Sequence, residues 1–198
     1  MNYRNILEKA FDAAETVAKD LQINDKASQP ISHGAFGDLT YQIDKDVEIE
    51  IMEIMQAYFP KSLIISEEAG LIGNLSGLPV VLIDPVDGST NAFRKVPFYS
   101  SAITIVDGIR FNDVISAGVA DLVNSDRIIS NDKGKVLFNG NSIKPSSTKI
   151  LDEAYISVNM HAGDVDNEER WLLSLLKEIR YPRFMGSAAL ETAYVAAG

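Results

Sequence analysis

The sequence predicts an α+β chain passing into α/β: N-terminal helices laid on a mainly antiparallel sheet, then the start of a second α/β domain. Three observations predict this. Apolar residues recur at helical steps over residues 2–21 and 44–58. Short apolar runs bounded by turn residues occupy positions 63–138. Beyond residue 150, strand-like and helix-like patterns alternate. The chain accordingly divides into 1–150 and 151–198, with the second unit expected to be incomplete.

The first helix carries Tyr3, Leu7, Ala10, Ala14, Val17 and Leu21 on one face, with Glu8, Asp12 and Lys19 elsewhere. A polar stretch from Asn24 to Gly37, containing Pro30 and Gly34, reads as a loop. The second helix is expected from Asp44 to Tyr58, with Val47, Ile51, Ile54 and Met55 inward and Pro60 as its stop. Strands are expected at 63–66, 80–84, 101–107, 113–121, 127–131 and 136–138. Asp107-Gly108 and Asp132-Lys133-Gly134-Lys135 are turn sequences, which makes their flanking strands antiparallel neighbours. A strand at 153–158, a helix from Asp166 to Lys177, a strand over Arg183 to Met185 and a helix from Ser187 to Ala197 follow, with Gly198 as a natural cap. No internal repeat or low-complexity tract is present.

Composition narrows the function classes. Of 198 residues, 46% are hydrophobic, which suits a packed globular chain and not a disordered one. No apolar run approaches the length of a bilayer span, and Met1 to Asn5 lacks a signal-peptide core, so no membrane partner is expected. Cysteine is absent, which removes disulfides and thiolate metal sites and fits a cytoplasmic location. His33 and His161 are too few for an ordinary zinc site, and neither is given a role. A formal charge of −10 argues against a nucleic-acid surface. It would also repel a phosphate, unless bound divalent cations invert the local charge.

The densest chemistry lies in Ile83-Asp84-Pro85-Val86-Asp87-Gly88-Ser89-Thr90-Asn91, directly after the apolar run Val80-Val81-Leu82. Two carboxylates stand where a strand ends, and a glycine and two hydroxyls stand where a helix begins. Hard cations take carboxylate oxygens together with substrate phosphate, and amides at a helix start suit phosphate. On an extended strand, residues three apart face opposite sides. Asp84 and Asp87 can therefore converge only across a bend, which Pro85 makes plausible. A second apolar run, Leu63-Ile64-Ile65, also ends in acids, at Ser66-Glu67-Glu68. The plain alternatives are an Asp-Gly turn for the first segment and solvated acids beside the Gly70 turn for the second.

Five ordered motifs carry a family resemblance. They are Gly37-Asp38-Leu39-Thr40 followed by Asp44; Ile65-Ser66-Glu67-Glu68; Asp84 to Asn91; Asn139-Gly140-Asn141-Ser142-Ile143; and Gly186-Ser187-Ala188-Ala189-Leu190-Glu191 running to Val195-Ala196-Ala197-Gly198. In these the chain resembles the inositol monophosphatase family, within the Mg2+-dependent, lithium-sensitive phosphatases. It looks most like the archaeal members acting on both inositol phosphates and fructose 1,6-bisphosphate. The resemblance implies a layered αβαβα sugar-phosphatase fold, with metal and phosphate bound by the first domain. It also implies Mg2+, two or three ions per site, as cofactor. Family members continue further, with another Asp that completes the second cation site, so the chain is expected to be C-terminally incomplete. A homodimer and a small sugar or inositol phosphate are the implied partners.

The resemblance also assigns roles. Glu67, Asp84 and the Val86 carbonyl would hold a first cation, and Asp84 with Asp87 a second. A third, weaker ion would involve the loop after the first helix. Glu67 would act as base, with the Ser89 hydroxyl orienting water and Asp44 relaying through it. The family commonly has Thr at that position, and Ser89 keeps the hydroxyl. The amides of Gly88 and Ser89 would hold phosphate oxygens, while Gly186, Ser187 and Ala188 would touch the sugar or inositol ring. Gly186 and Ser187 are equally well read as a helix start with Ser187 as N-cap. Asp38 and Thr40 have an adequate structural reading at the start of a helix, and Arg94 and Lys95 read as a solvated loop. A haloacid-dehalogenase-type phosphatase would place its two acids two positions apart, against three here with Pro85 between. A catalytically inactive metal- and phosphate-binding protein is the alternative from outside the enzymes.

Overall fold

The computed structural model describes residues 1–27, 30–35, 39–131, 134–158 and 170–198. Gly37, Asp38, His161, the Asp132-Lys133 half of one expected turn and the beginning of the helix expected from Asp166 lie outside the described residues.

Helix α1 (Tyr3–Ile23) starts at Asn2, whose side chain accepts the Asn5 amide at 2.9 Å. Its buried face is Ile6, Leu7, Ala10, Phe11, Ala14, Ala18 and Leu21. Tyr3 and Val17 sit at the margin of the core, not inside it. The segment expected as a loop contains a short antiparallel hairpin, β1 (Pro30–His33) and β2 (Leu39–Tyr41), with a bulge between Pro30 and Ser32. Helix α2 (Gln42–Tyr58) follows at once, ahead of the expected Asp44, because the Asp44 carboxylate accepts the Tyr41 amide at 2.8 Å and fixes the first turn. Ile43, Val47, Ile51 and Met55 are fully buried along it.

The main sheet has eight strands: β3 (Leu63–Ser66), β4 (Gly70–Gly73), β5 (Val80–Asp87), β6 (Ser100–Val106), β7 (Val114–Asp121), β8 (Arg127–Ser130), β9 (Val136–Phe138) and β10 (Asn141–Ser142). Their order is β10-β9-β8-β7-β6-β5-β3-β4, and every neighbouring pair is antiparallel except β3 with β5. A short helix, α3 (Ser89–Arg94), follows β5. Helices α1 and α2 pack together on the sheet, where Phe11, Ile43 and Ile51 join Ile64, Val81, Ile83, Ile103 and Ile105 in one core. Burying each such side chain contributes about 1.5–3 kcal/mol. Gly118 on β7 gives α1 room to approach, since a Cβ there would lie 2.8 Å from the Phe11 ring.

In the last part of the chain, β11 (Tyr155–Ser157) and β12 (Tyr181–Arg183) form a two-stranded parallel sheet, with α4 (Arg170–Glu178) preceding β12. The final strand lies two residues earlier than the expected Arg183 to Met185, because Tyr181 pairs with Tyr155 and their rings stack at 4.7 Å. Helix α5 (Ala188–Ala197) lies against β5, β6 and β7. No helix among the described residues is long and apolar enough to cross a membrane.

Candidate active site

The parallel pairing of β3 and β5 ends with Ser66 against Ile83, so Glu67 and Asp84 both follow directly on the last paired residues. The Glu67 amide donates to the Ile83 carbonyl at 3.2 Å, which sets Glu67 beside Asp84. The bend that Asp84 and Asp87 require is present as a register shift against β6 between these two residues. The two acids thereby share one electrostatic neighbourhood. Burial, then the charges of Glu67, Asp87 and Asp44, push the Asp84 carboxyl up to about 9. Asp44, almost wholly buried, is raised to about 7 by burial, against the lowering effect of the Tyr41 amide and the Ser89 hydroxyl. Glu68 and Glu67 add to the rise.

Two buried oxygens in this nest, Asp44 Oδ1 and Asp84 Oδ1, have no hydrogen-bond partner. A buried acceptor without a donor is costly, and so is a group of acids pressed together. A hard cation relieves both, so the residues present fit one. Among the described residues, no three acids form a finished metal-holding group. Asp87, whose charge reaches Asp84, is also engaged on another side.

The Asp87 carboxylate accepts from the start of α5. The Ser187 hydroxyl and the Ala189 amide (2.8 Å) donate to Oδ2, and the Ala188 amide (3.2 Å) donates to Oδ1. Ser187 holds the N-cap position, but its hydroxyl does not cap its own helix; Asp87 supplies the oxygen instead. Gly186, Ser187 and Ala188 are thus brought to the loop of Asp84 to Asn91. Gly88, at φ +91°, approaches so closely that a Cβ would lie 2.9 Å from the Gly186 carbonyl. The Ser89 hydroxyl donates to the Val86 carbonyl at 2.9 Å and also faces Asp44.

Several contributors were given no functional role by the sequence. Asn91 Nδ2 donates to the carbonyls of Phe98 and Met185, each at 2.7 Å, and so ties the loop to the segment before α5. Glu191 accepts the amides of Met185 (3.1 Å) and Gly186 (2.8 Å). Buried Glu48 accepts the Ala69 amide at 2.9 Å, and buried Thr40 donates its hydroxyl to Glu68. Asn91, Glu191, Glu68 and Thr40 lie inside the motifs quoted above, the signal that could have singled them out, whereas Glu48 lies in none. Arg94 lies over the Phe93 ring and Lys95 pairs with exposed Asp25, each accounted for without the nest. Beside the acids, Ile65, Leu82, Ala102 and Thr104 line an open groove of about 430 Å³.

Helices layered on a mixed sheet, with acids gathered where the β3–β5 pairing ends, make a layered α/β fold with one acidic site. Residues 3–198 match the model of the inositol monophosphatase family. A fructose-1,6-bisphosphatase/inositol-1-monophosphatase of Methanothermobacter thermautotrophicus is 28% identical over 99% of this chain and 72% of its own length. An inositol monophosphatase of Dictyostelium discoideum is 29% identical over 97% of this chain and 72% of that protein. In fold, the extragenic suppressor protein suhB of Bartonella henselae superposes with a TM-score of 0.83 at 22% identity, covering 98% of this chain and 74% of that one. The chain belongs to the inositol monophosphatase family, and with its relatives it is a phosphoric monoester hydrolase.

Proposed function

We propose that this chain hydrolyses the phosphomonoesters of small polyols, inositol 1-phosphate and fructose 1,6-bisphosphate, with Mg2+. The observation that carries the reading is the pair of buried, partnerless oxygens on Asp44 and Asp84 amid further acids. The Methanothermobacter relative, named for both activities, supports the choice of substrates. Glu67, Asp84 and the Val86 carbonyl are the proposed holders of one ion, and Asp84 with Asp87 of a second. Bound Mg2+ supplies charge neutralisation at the phosphoryl oxygens and a water of lowered pKa.

The chain's own groups supply the rest. Glu67 stands next to Asp84 and takes the proton of the attacking water. The Ser89 hydroxyl, which donates to the Val86 carbonyl and lies near Asp44, is the proposed group that orients that water, with Asp44 relaying through it. Gly88 and Ser89 present amides to phosphate, and Gly186, Ser187 and Ala188 border the ring of the substrate. Since Gly186 N, the Ser187 hydroxyl and Ala188 N already donate inward, this border shapes the site more than it donates. A homodimer in the cytoplasm belongs to the same proposal, on the family resemblance and the absence of cysteine.

Phosphate release from both substrates, with Mg2+ and with chelator, tests the reading. Release that requires Mg2+ and disappears in Asp84→Asn is the expected result. Mg2+ binding without release from either substrate would leave a binding protein, and release unaffected by chelator would remove the cation from the mechanism.

A further inference from the structure

Ser100 is the first residue of β6 and the cross-strand partner of Asp87, immediately beyond the bulge that follows Asp84. It is completely buried, as is Ser187. Its Oγ lies 3.1 Å from Ser187 Oγ and 3.4 Å from Asp87 Oδ2. The Ser187 proton is already donated to Asp87 Oδ2, so at the shorter contact Ser100 must be the donor. The result is a directed chain, Ser100 to Ser187 to Asp87, in which each hydroxyl strengthens the next bond.

This chain distinguishes the two oxygens of Asp87. Oδ2 receives the Ser187 hydroxyl and the Ala189 amide, while Ser100 Oγ stands 3.4 Å off with its proton committed to Ser187. Oδ1 receives a single amide, Ala188, at 3.2 Å. A carboxylate offers about four lone-pair sites, so Oδ2 is saturated and Oδ1 is open. The carboxylate plane is thus fixed by donors on one side.

We propose that Ser100 is a positioning residue for cation binding: acting through Ser187, it commits Oδ2 of Asp87 to α5 and leaves Oδ1 as the oxygen that Asp87 offers to a divalent ion. The inference rests on the proposed cation site. No family motif in the sequence includes Ser100. Residues that orient a metal ligand from behind typically contribute about 10–100-fold in affinity or activity.

Mg2+ affinity measured by calorimetry provides the test, with kcat and the Mg2+ concentration for half-maximal rate measured alongside. Ser100→Ala should weaken Mg2+ binding about tenfold, while saturating Mg2+ returns most of kcat. Ser100→Thr, which keeps the hydroxyl, should retain wild-type affinity. Ser116→Ala removes a comparably buried strand hydroxyl, bonded to Ser130 away from the nest, and should leave affinity unchanged. Equal affinity in Ser100→Ala and Ser116→Ala overturns the inference, as does a Ser100→Thr protein as weak as Ser100→Ala. Should Ser100→Ala fail to fold, Ser187→Ala breaks the same chain one bond later, and wild-type affinity there overturns it equally. Asp84→Asn separates the two levels. If it binds Mg2+ like the wild type, the cation site itself is wrong; if it does not bind while Ser100→Ala binds normally, only the role of Ser100 falls.

Discussion

Asp84 and Asp44 are held in the protein with carboxyl groups far less acidic than in water. Both folded-state values, about 9 and about 7, lie above the ordinary 3.8. Over that interval each of these two groups binds more protons in the folded chain than in the unfolded one, so their contribution to metal-free stability is most favourable in acid. It is lost as pH rises toward 7 for Asp44 and 9 for Asp84. Metal-free protein is therefore expected to melt at a lower temperature at pH 8 than at pH 5. Asp84→Asn should flatten that dependence, and Mg2+ should raise the melting temperature more at pH 8 than at pH 5. Calorimetry across pH, with and without chelator, checks this; a wild-type slope identical to that of Asp84→Asn would refute it. The sequence made Asp84 legible because it ends an apolar run, and Asp44 because it follows the Gly37-Asp38-Leu39-Thr40 motif. Their energetic state was not legible, since it depends on α2, β3 and β5 converging.

At the scale of elements, the apolar pattern read well wherever a segment buries one face. Helices α1 and α2 and strands β5, β6 and β7 fall where their periodicity put them, within a few residues. The hairpin β1–β2 was hidden because its stabilising contacts are not its own. The Ala35 amide donates to the Glu68 carbonyl at 3.0 Å and Thr40 bonds to the Glu68 side chain, so the turn after β3 holds a polar segment in strand form. β4 and β10 escaped notice as short strands at the two edges of the sheet. Packing between elements yields a sharper prediction. Gly118→Ala would set a methyl 2.8 Å from the Phe11 ring and 3.0 Å from Ile129, and should cost about 1–3 kcal/mol. Phe11→Leu in the same chain should recover part of that loss in a denaturant titration. Simple addition of the two effects would show that α1 does not press on β7 at this point.

For the whole molecule, Asp87 has a second task that its place in a motif does not reveal. Read as a ligand alone, Asp87→Asn preserves size and should lower activity far more than stability. In the structure its carboxylate joins β5 to α5 through Ser187, Ala188 and Ala189. Asn at this position offers one acceptor oxygen and no charge, so Asp87→Asn is expected to destabilise the metal-free fold by about 1–3 kcal/mol. Chemical denaturation in chelator measures this directly, and an unchanged midpoint would mean that α5 docks without it. The link was not legible because its partners lie about a hundred positions away, with no local pattern to announce them.

That same separation has a consequence for the order of events in folding. Contacts between distant positions incur their loop-closure cost before they contribute stability, so they form late. During synthesis, β5 and its acids exist well before Ser187 to Ala189 emerge. Throughout that interval the Asp87 carboxylate has no α5 to accept from, and neither of its oxygens is committed. The fixed orientation of the Asp87 carboxylate is therefore a property of the finished tertiary structure, absent from a nascent chain that has not yet made α5.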